Sequence, residues 1–140
     1  MLQTYFSHAP WLQIIVSAVV YFGIGAVWYA PPVFGNYWGA AHKIDMTNKD
    51  EARKQMPRLF ATTFVLTFLM VLVLGLLFAK MGTVKCVPGI EAGLCISGFI
   101  AAALGINYSY LQKPFKLWII DSGYHAVGLA LSGAILAAWH

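Results

Sequence analysis

The stretch Leu59–Ala79, LFATTFVLTFLMVLVLGLLFA, contains no charged side chain. An α-helix rises about 1.5 Å per residue, so a run of this length crosses roughly 30 Å of hydrocarbon. Residues 11–30 and 92–111 are also uncharged, and residues 117–139 carry a single acid, Asp121. Closed β-barrels are the other way to span a bilayer. They need ~10-residue segments of alternating polarity, and the chain shows no such alternation. The expected fold is all-α: a single domain, residues 1–140, of four transmembrane helices at about 11–30, 59–79, 92–111 and 117–139.

Composition agrees. Hydrophobic residues make up 60% of the 140 and charged residues 10%, against about 45–50% and about 25% in soluble domains. Nine Lys/Arg and five Asp/Glu cannot cover a water-facing surface. Disorder, a coiled-coil or collagenous rod and an ordinary cytosolic enzyme are excluded. The lipid bilayer is the expected partner, because apolar helices satisfy their own backbone groups there.

The connections fit four helices. Residues 31–58 hold Pro31, Pro32, Gly35 and most of the charges. Residues 80–91 hold Gly82, Pro88 and Gly89. The third link, Gln112–Lys116, is broken by Pro114, so helices three and four are expected to form a tight antiparallel hairpin. Within the first connection, Thr47 and Asp50 suggest the capped start of a small surface helix, with a break or bend near Pro57.

Positive charge sets the expected orientation. Lys43, Lys49, Arg53, Lys54 and Arg58 lie between helices one and two, and Lys113 and Lys116 between three and four. Only Lys80 and Lys85 fall on the opposite side. Both termini are therefore expected on the outer side of the membrane and the two richer connections on the inner side. Residues 1–10 lack the basic region of a cleaved signal peptide. The pI near 9.2 reflects this topology. No basic patch interleaved with exposed aromatics points to nucleic acid.

The fourth helix carries the most informative residues. Asp121, His125, Gly128 and Ser132 are spaced four, three and four apart, which places them in a stripe about 60° wide. A carboxylate inside the membrane costs on the order of 2.5–3.5 kcal/mol even on lenient scales, so the stripe must face protein or water. Tyr21 and Trp28 share a face of the first helix, and this face is expected to meet the stripe, with Tyr21 near His125 and Trp28 near Asp121. An Asp121–His125 hydrogen bond within the helix is feasible. Such a site either relays protons or cations or holds helices in register. It is not a catalytic triad, because Ser132 lies about 10 Å along the helix from His125.

Small residues suggest packing faces. Gly98, Ala102, Gly105 and Ser109 on the third helix repeat the same spacing and should meet helix four. Ala126, Ala130 and Ala134 form a second ridge, suited to another helix or a second copy. Cys86 and Cys95 could close a loop as a disulfide or remain two thiols. No Gly-rich phosphate loop, CxxC, haem motif or His/Cys cluster at metal-ligand spacing occurs, so neither cofactor nor metal is expected.

Two stretches carry a family resemblance. The first is WYAPPVFGNYW, Trp28–Trp38; the second combines Ile120–His125, Ser132–Leu136 and Trp139. With the four-helix plan, they resemble the small bacterial and fungal membrane proteins grouped as domain of unknown function 1761 (DUF1761), over nearly the whole chain. The resemblance implies an integral membrane protein with no reaction to carry over. It draws attention to Trp28, Phe34, Gly35, Trp38, Asp121 and Tyr124. Physically, Pro31 and Pro32 end the first helix, and Gly35 permits a turn. The loop then either folds beneath Asp121 as a lid or anchors at the interface. The expected function is a non-catalytic homo-oligomer or an accessory subunit of a larger membrane complex. The alternative is a small transporter or channel with a proton or cation path through Asp121 and His125.

Overall fold

The computed structural model describes residues 2–41, 49–82 and 85–139. Lys43 and Thr47, which entered the sequence argument, lie outside the described residues. The described chain forms α1 (Leu2–His8), α2 (Trp11–Trp28), a π-helical turn (Pro31–Gly35), α3 (Asn36–Ala41), α4 (Lys49–Met81), α5 (Cys86–Tyr110) and α6 (Phe115–Ala138). Among the described residues, four helices are long and apolar enough to cross a membrane: α2, α4 from Arg53 onward, α5 and α6. They run up, down, up and down. α2 packs on α4 and α6, and α5 packs on α6. The core between α2, α4 and α6 contains Ile14, Ala18, Tyr21, Val71, Leu74 and Leu129.

Each boundary has a local cause. At the end of α2 the Tyr29 amide still reaches the Gly25 carbonyl, 3.0 Å, and the Ala30 amide that of Val27, 3.2 Å. Pro31 and Pro32 then offer no amide hydrogens, and the residue before them, Ala30, is extended. The π-helical turn closes with the Gly35 amide on the Ala30 carbonyl, 3.0 Å. A β-carbon on Gly35 would lie 2.3 Å from the Tyr29 carbonyl oxygen, so only glycine fits there. α5 ends with Gln112 left-handed (φ 52°) and the Lys113 amide bonded back to the Tyr108 carbonyl, 3.0 Å. Pro114 then opens α6.

The structure changes three expectations. First, α4 is one continuous helix from Lys49 through Pro57 to Met81, with no break at the proline. Pro57 removes only its own bond to the Arg53 carbonyl. Arg53 and Pro57 are both exposed, so the freed oxygen can meet solvent. Second, residues 2–8 form α1, a helix additional to the four expected. Tyr5 turns inward and its hydroxyl donates to the Leu72 carbonyl, 3.3 Å. Burial pushes this phenol above its ordinary pKa.

Third, α5 starts at Cys86, six residues earlier than the sequence suggests. Both cysteines therefore lie on one helix, exposed and free. Nine residues of helix separate their Cα atoms by about 13.5 Å, whereas a disulfide needs about 4.4–6.8 Å. Both thiols should accept a membrane-permeant maleimide without prior reduction. A mass corresponding to one or no adduct in the unfolded, unreduced chain would contradict this geometry.

The early start extends the packing face, which is not the expected one. Gly89, Gly93 and Ser97 are the buried small residues of α5. A β-carbon on Gly89 would sit 2.5 Å from the Gly133 carbonyl oxygen, and one on Gly93 2.3 Å from that of Leu129. Contrary to expectation, Gly98, Ala102 and Ser109 face outward, and Gly98 has nothing within 4 Å of its β-position. Gly105 alone of that stripe reaches α6, against the Trp118 indole. Gly98 lies 100° round the helix from Ser97. With Gly89 assigned to a loop, the four-residue series that begins there was not visible. Ala126, Ala130 and Ala134 are half-buried, and the Ala130 backbone borders Gly93.

Candidate functional site

Asp121 lies two turns into α6 and is only 5% exposed. Its two carboxylate oxygens are taken by different tyrosines. Tyr29, just beyond the end of α2, donates to Oδ1 at 2.5 Å. Tyr108, near the end of α5, donates to Oδ2. Trp28 donates its indole N–H to the Ile120 carbonyl, 3.0 Å. Trp28 thus reaches the backbone beside Asp121, while its neighbour Tyr29 reaches the carboxylate. One turn along α6, the Tyr21 hydroxyl and His125 Nδ1 are 2.6 Å apart. Carboxylate and imidazole turn to partners on other elements, and the helix-internal Asp–His bond gives way to these.

A shell of aromatic rings holds the arrangement. The Tyr124 ring lies between those of Tyr21 and Tyr29, with centroids 5.3 and 5.4 Å away. Its hydroxyl bonds the side chain of buried Thr67 on α4 and faces the Tyr21 carbonyl, 3.5 Å. Glycines make room for the rings. A β-carbon on Gly128 would come within 2.0 Å of the Tyr21 ring, and one on Gly25 within 2.9 Å of the Tyr124 hydroxyl. Removing the side chain at these two points lets bulky phenols lie in the α2–α6 seam.

The turn after α2 folds back against this end of the bundle. Phe34 packs on Trp28 with ring centroids 5.2 Å apart, and Trp38 on Tyr29 at 5.8 Å. Lys116 stands 4.4 Å over the Tyr37 ring, and Lys113 Nζ reaches the Ala41 carbonyl at 3.5 Å. Pro31, Pro32, Phe34, Gly35 and Trp38 thus shape the turn that holds Tyr29, which ties the turn to the carboxylate.

A family model described as protein of unknown function (DUF1761) matches residues 12–137. The chain belongs to the DUF1761 family. No curated protein and no solved structure matches it. The matched span includes all the residues of the Asp121 cluster in this DUF1761 chain.

Tyr29 and Tyr108 are the two residues that sequence reasoning missed. Tyr29 is adjacent to Trp28, and one residue of uncertainty in where a helix ends exchanges their roles. Tyr108 could have been found from the hairpin. A five-residue link between antiparallel helices brings the last turn of α5 level with the first turns of α6. Two further polar groups, one on α2 and one on α6, stand without protein partners: the hydroxyls of Ser17 and Ser132 are buried and bonded to nothing. The Ser122 hydroxyl shares that state. Among the described residues, two surface crevices lack Asp121 in their lining. One lies among Tyr5, His8, Gly75 and Lys80 at the α1 end. The other is a shallow apolar groove beside Val27 and Val127. In this DUF1761 protein the Asp121 carboxylate is buried among the side chains of the cluster. Its evident chemical capacity is to lock α2, α5 and α6 together at one end.

Proposed function

We propose that this protein is a non-catalytic, multi-pass component of the bacterial inner membrane. It acts as a homo-oligomer or as an accessory subunit of a larger membrane complex. Its termini face the periplasm, as the distribution of Lys and Arg indicates. The observation that carries this reading is the position of α5. This helix packs on α6 and presents Gly98, Phe99, Ala102 and Ile106 outward. Without a hydrophobic drive between helices in lipid, close backbone approach at small residues is what favours association. Gly98 and Ala102 offer that approach beside large apolar neighbours. The buried Asp121 carboxylate, held by Tyr29 and Tyr108, fits a structural role.

Gly98→Ile and Ala102→Ile test the proposal by native mass measurement after gentle detergent extraction. The wild type is expected as an assembly, and both variants as lighter particles with an unchanged melting temperature. A wild type that emerges as a lone protomer, or variants that assemble as before, would refute it.

One observation favours a second reading, a proton or cation path. Asp121, His125 and Tyr21 continue toward the unpartnered hydroxyls of Ser17 and Ser132 along the same seam. Proton flux into liposomes that disappears with Asp121→Asn would select this reading over the first.

A further inference from the structure

Half of the described helix serines return their hydroxyls to their own backbone. Ser97 donates to the Leu94 carbonyl and Ser109 to that of Gly105, both at 2.7 Å. Thr62 does the same to Arg58, 2.8 Å. Ser17 and Ser132 do not. Each has 0% of its surface exposed, and each hydroxyl lacks a protein partner. A buried hydroxyl without a partner is costly, and native structures seldom keep one dry.

The register places these two serines at one level. Tyr21 of α2 lies against Gly128 of α6. Farther along, Gln13 Nε2 donates to the Trp139 carbonyl, 3.0 Å. The helices are antiparallel, so one turn from Tyr21 toward the α1 end reaches Ser17. One turn from Gly128 in the same direction reaches Ser132. Packed helix axes stand about 8–10 Å apart, and two serine side chains do not fill the gap that two leucines would. Ile14, Ala18, Leu129 and Leu136 seal the position on α2 and α6, and Val71 and Leu74 of α4 lie in the same core.

We propose that one internal water molecule bridges the Ser17 and Ser132 hydroxyls in the α2–α6 seam. It accepts from one hydroxyl and donates to the other. Internal waters typically bond about three polar groups, and an α-helical carbonyl beside either serine supplies a further acceptor. The bridge extends the polar column that begins at Asp121 and passes through the Tyr21–His125 pair. The assignment stands apart from the oligomer proposal, since the seam lies within one protomer.

The sign of a stability change tests it. With a bridging water, Ser17→Ala and Ser132→Ala each strand the water and the other hydroxyl. Each should lower the melting temperature by ~2–6 °C, and the double variant should fall little further than either single one. Dry hydroxyls would give the opposite result, because each alanine then removes a penalty. A raised or unchanged melting temperature, or two independent losses that add, overturns the bridge. Should a variant fail to fold, water-edited solid-state NMR of the wild type in bilayers decides. Rapid polarisation transfer from water to the Ser17 and Ser132 β-carbons supports the bridge; transfer no faster than to Ile14 and Leu129 overturns it.

Discussion

Asp121→Ala is expected to destabilise the folded protomer by about 2–4 kcal/mol, measured as loss of folded protein on denaturant titration in mild detergent. Two effects compete. Removing a carboxylate relieves an insertion cost on the order of 2.5–3.5 kcal/mol. That cost is carried by the inserted but unpacked helix as well, so it largely cancels between the two states. The phenol–carboxylate bonds do not cancel. Each charge-assisted bond contributes about 1.5–3 kcal/mol in water-referenced measurements. The gain is smaller in membranes, because unpacked helices find other partners. Alanine also strands Tyr29 and Tyr108, which lose the acceptor they share. Asp121→Asn should cost about half as much, since one amide oxygen still accepts and the NH₂ group can donate to a phenol oxygen. If the alanine variant is as stable as the wild type, the carboxylate does not hold the helices.

The second large effect belongs to the α5–α6 hairpin. Gly93→Val should break it, with a loss on the order of 3 kcal/mol or more, since overpacking against immovable atoms exceeds the usual 1–3 kcal/mol. The first atom a new β-carbon meets is the Leu129 carbonyl oxygen at 2.3 Å, followed by the Leu129 carbonyl carbon at 2.7 Å. Backbone cannot swing away as a flexible side chain can. Gly133→Val should act alike, because its β-carbon would lie 2.1 Å from the Gly89 oxygen. Gly23→Val is the control: on the exposed side of α2, its β-carbon meets nothing within 4 Å. Cysteine cross-linking between α5 and α6, together with protease resistance, would report the difference. Equal behaviour of the Gly93 and Gly23 variants would contradict the packing face.

These two cases show what the sequence could reveal. The four spans follow from hydrophobicity summed over about twenty residues, a signal too strong for local detail to disturb. The pairing of Tyr21 with the His125 level follows from helical periodicity and the direction of each span. The finer facts depend on one-residue accuracy at helix ends. The start of α5 at Cys86 puts Gly89 in helical register with Gly93 and Ser97, the buried face. The end of α2 decides that Tyr29 rather than Trp28 meets the carboxylate. Composition does not encode those ends. Pro88 and Gly89, which look like loop residues, sit in the first turn of α5, where proline costs little. Tyr108 was hidden for another reason: its partner is thirteen residues away across a turn, and no single-helix pattern links them.

The unbroken course of α4 has a mechanical consequence. At 33 residues it measures about 50 Å, some 20 Å beyond the hydrocarbon slab it crosses. The overhang bears Arg53, Lys54 and Arg58, all exposed. A hinge at Pro57 would let this overhang swivel freely. As a single rod it conveys torque, so a body gripping the basic stalk turns the half that contacts Tyr124 through Thr67.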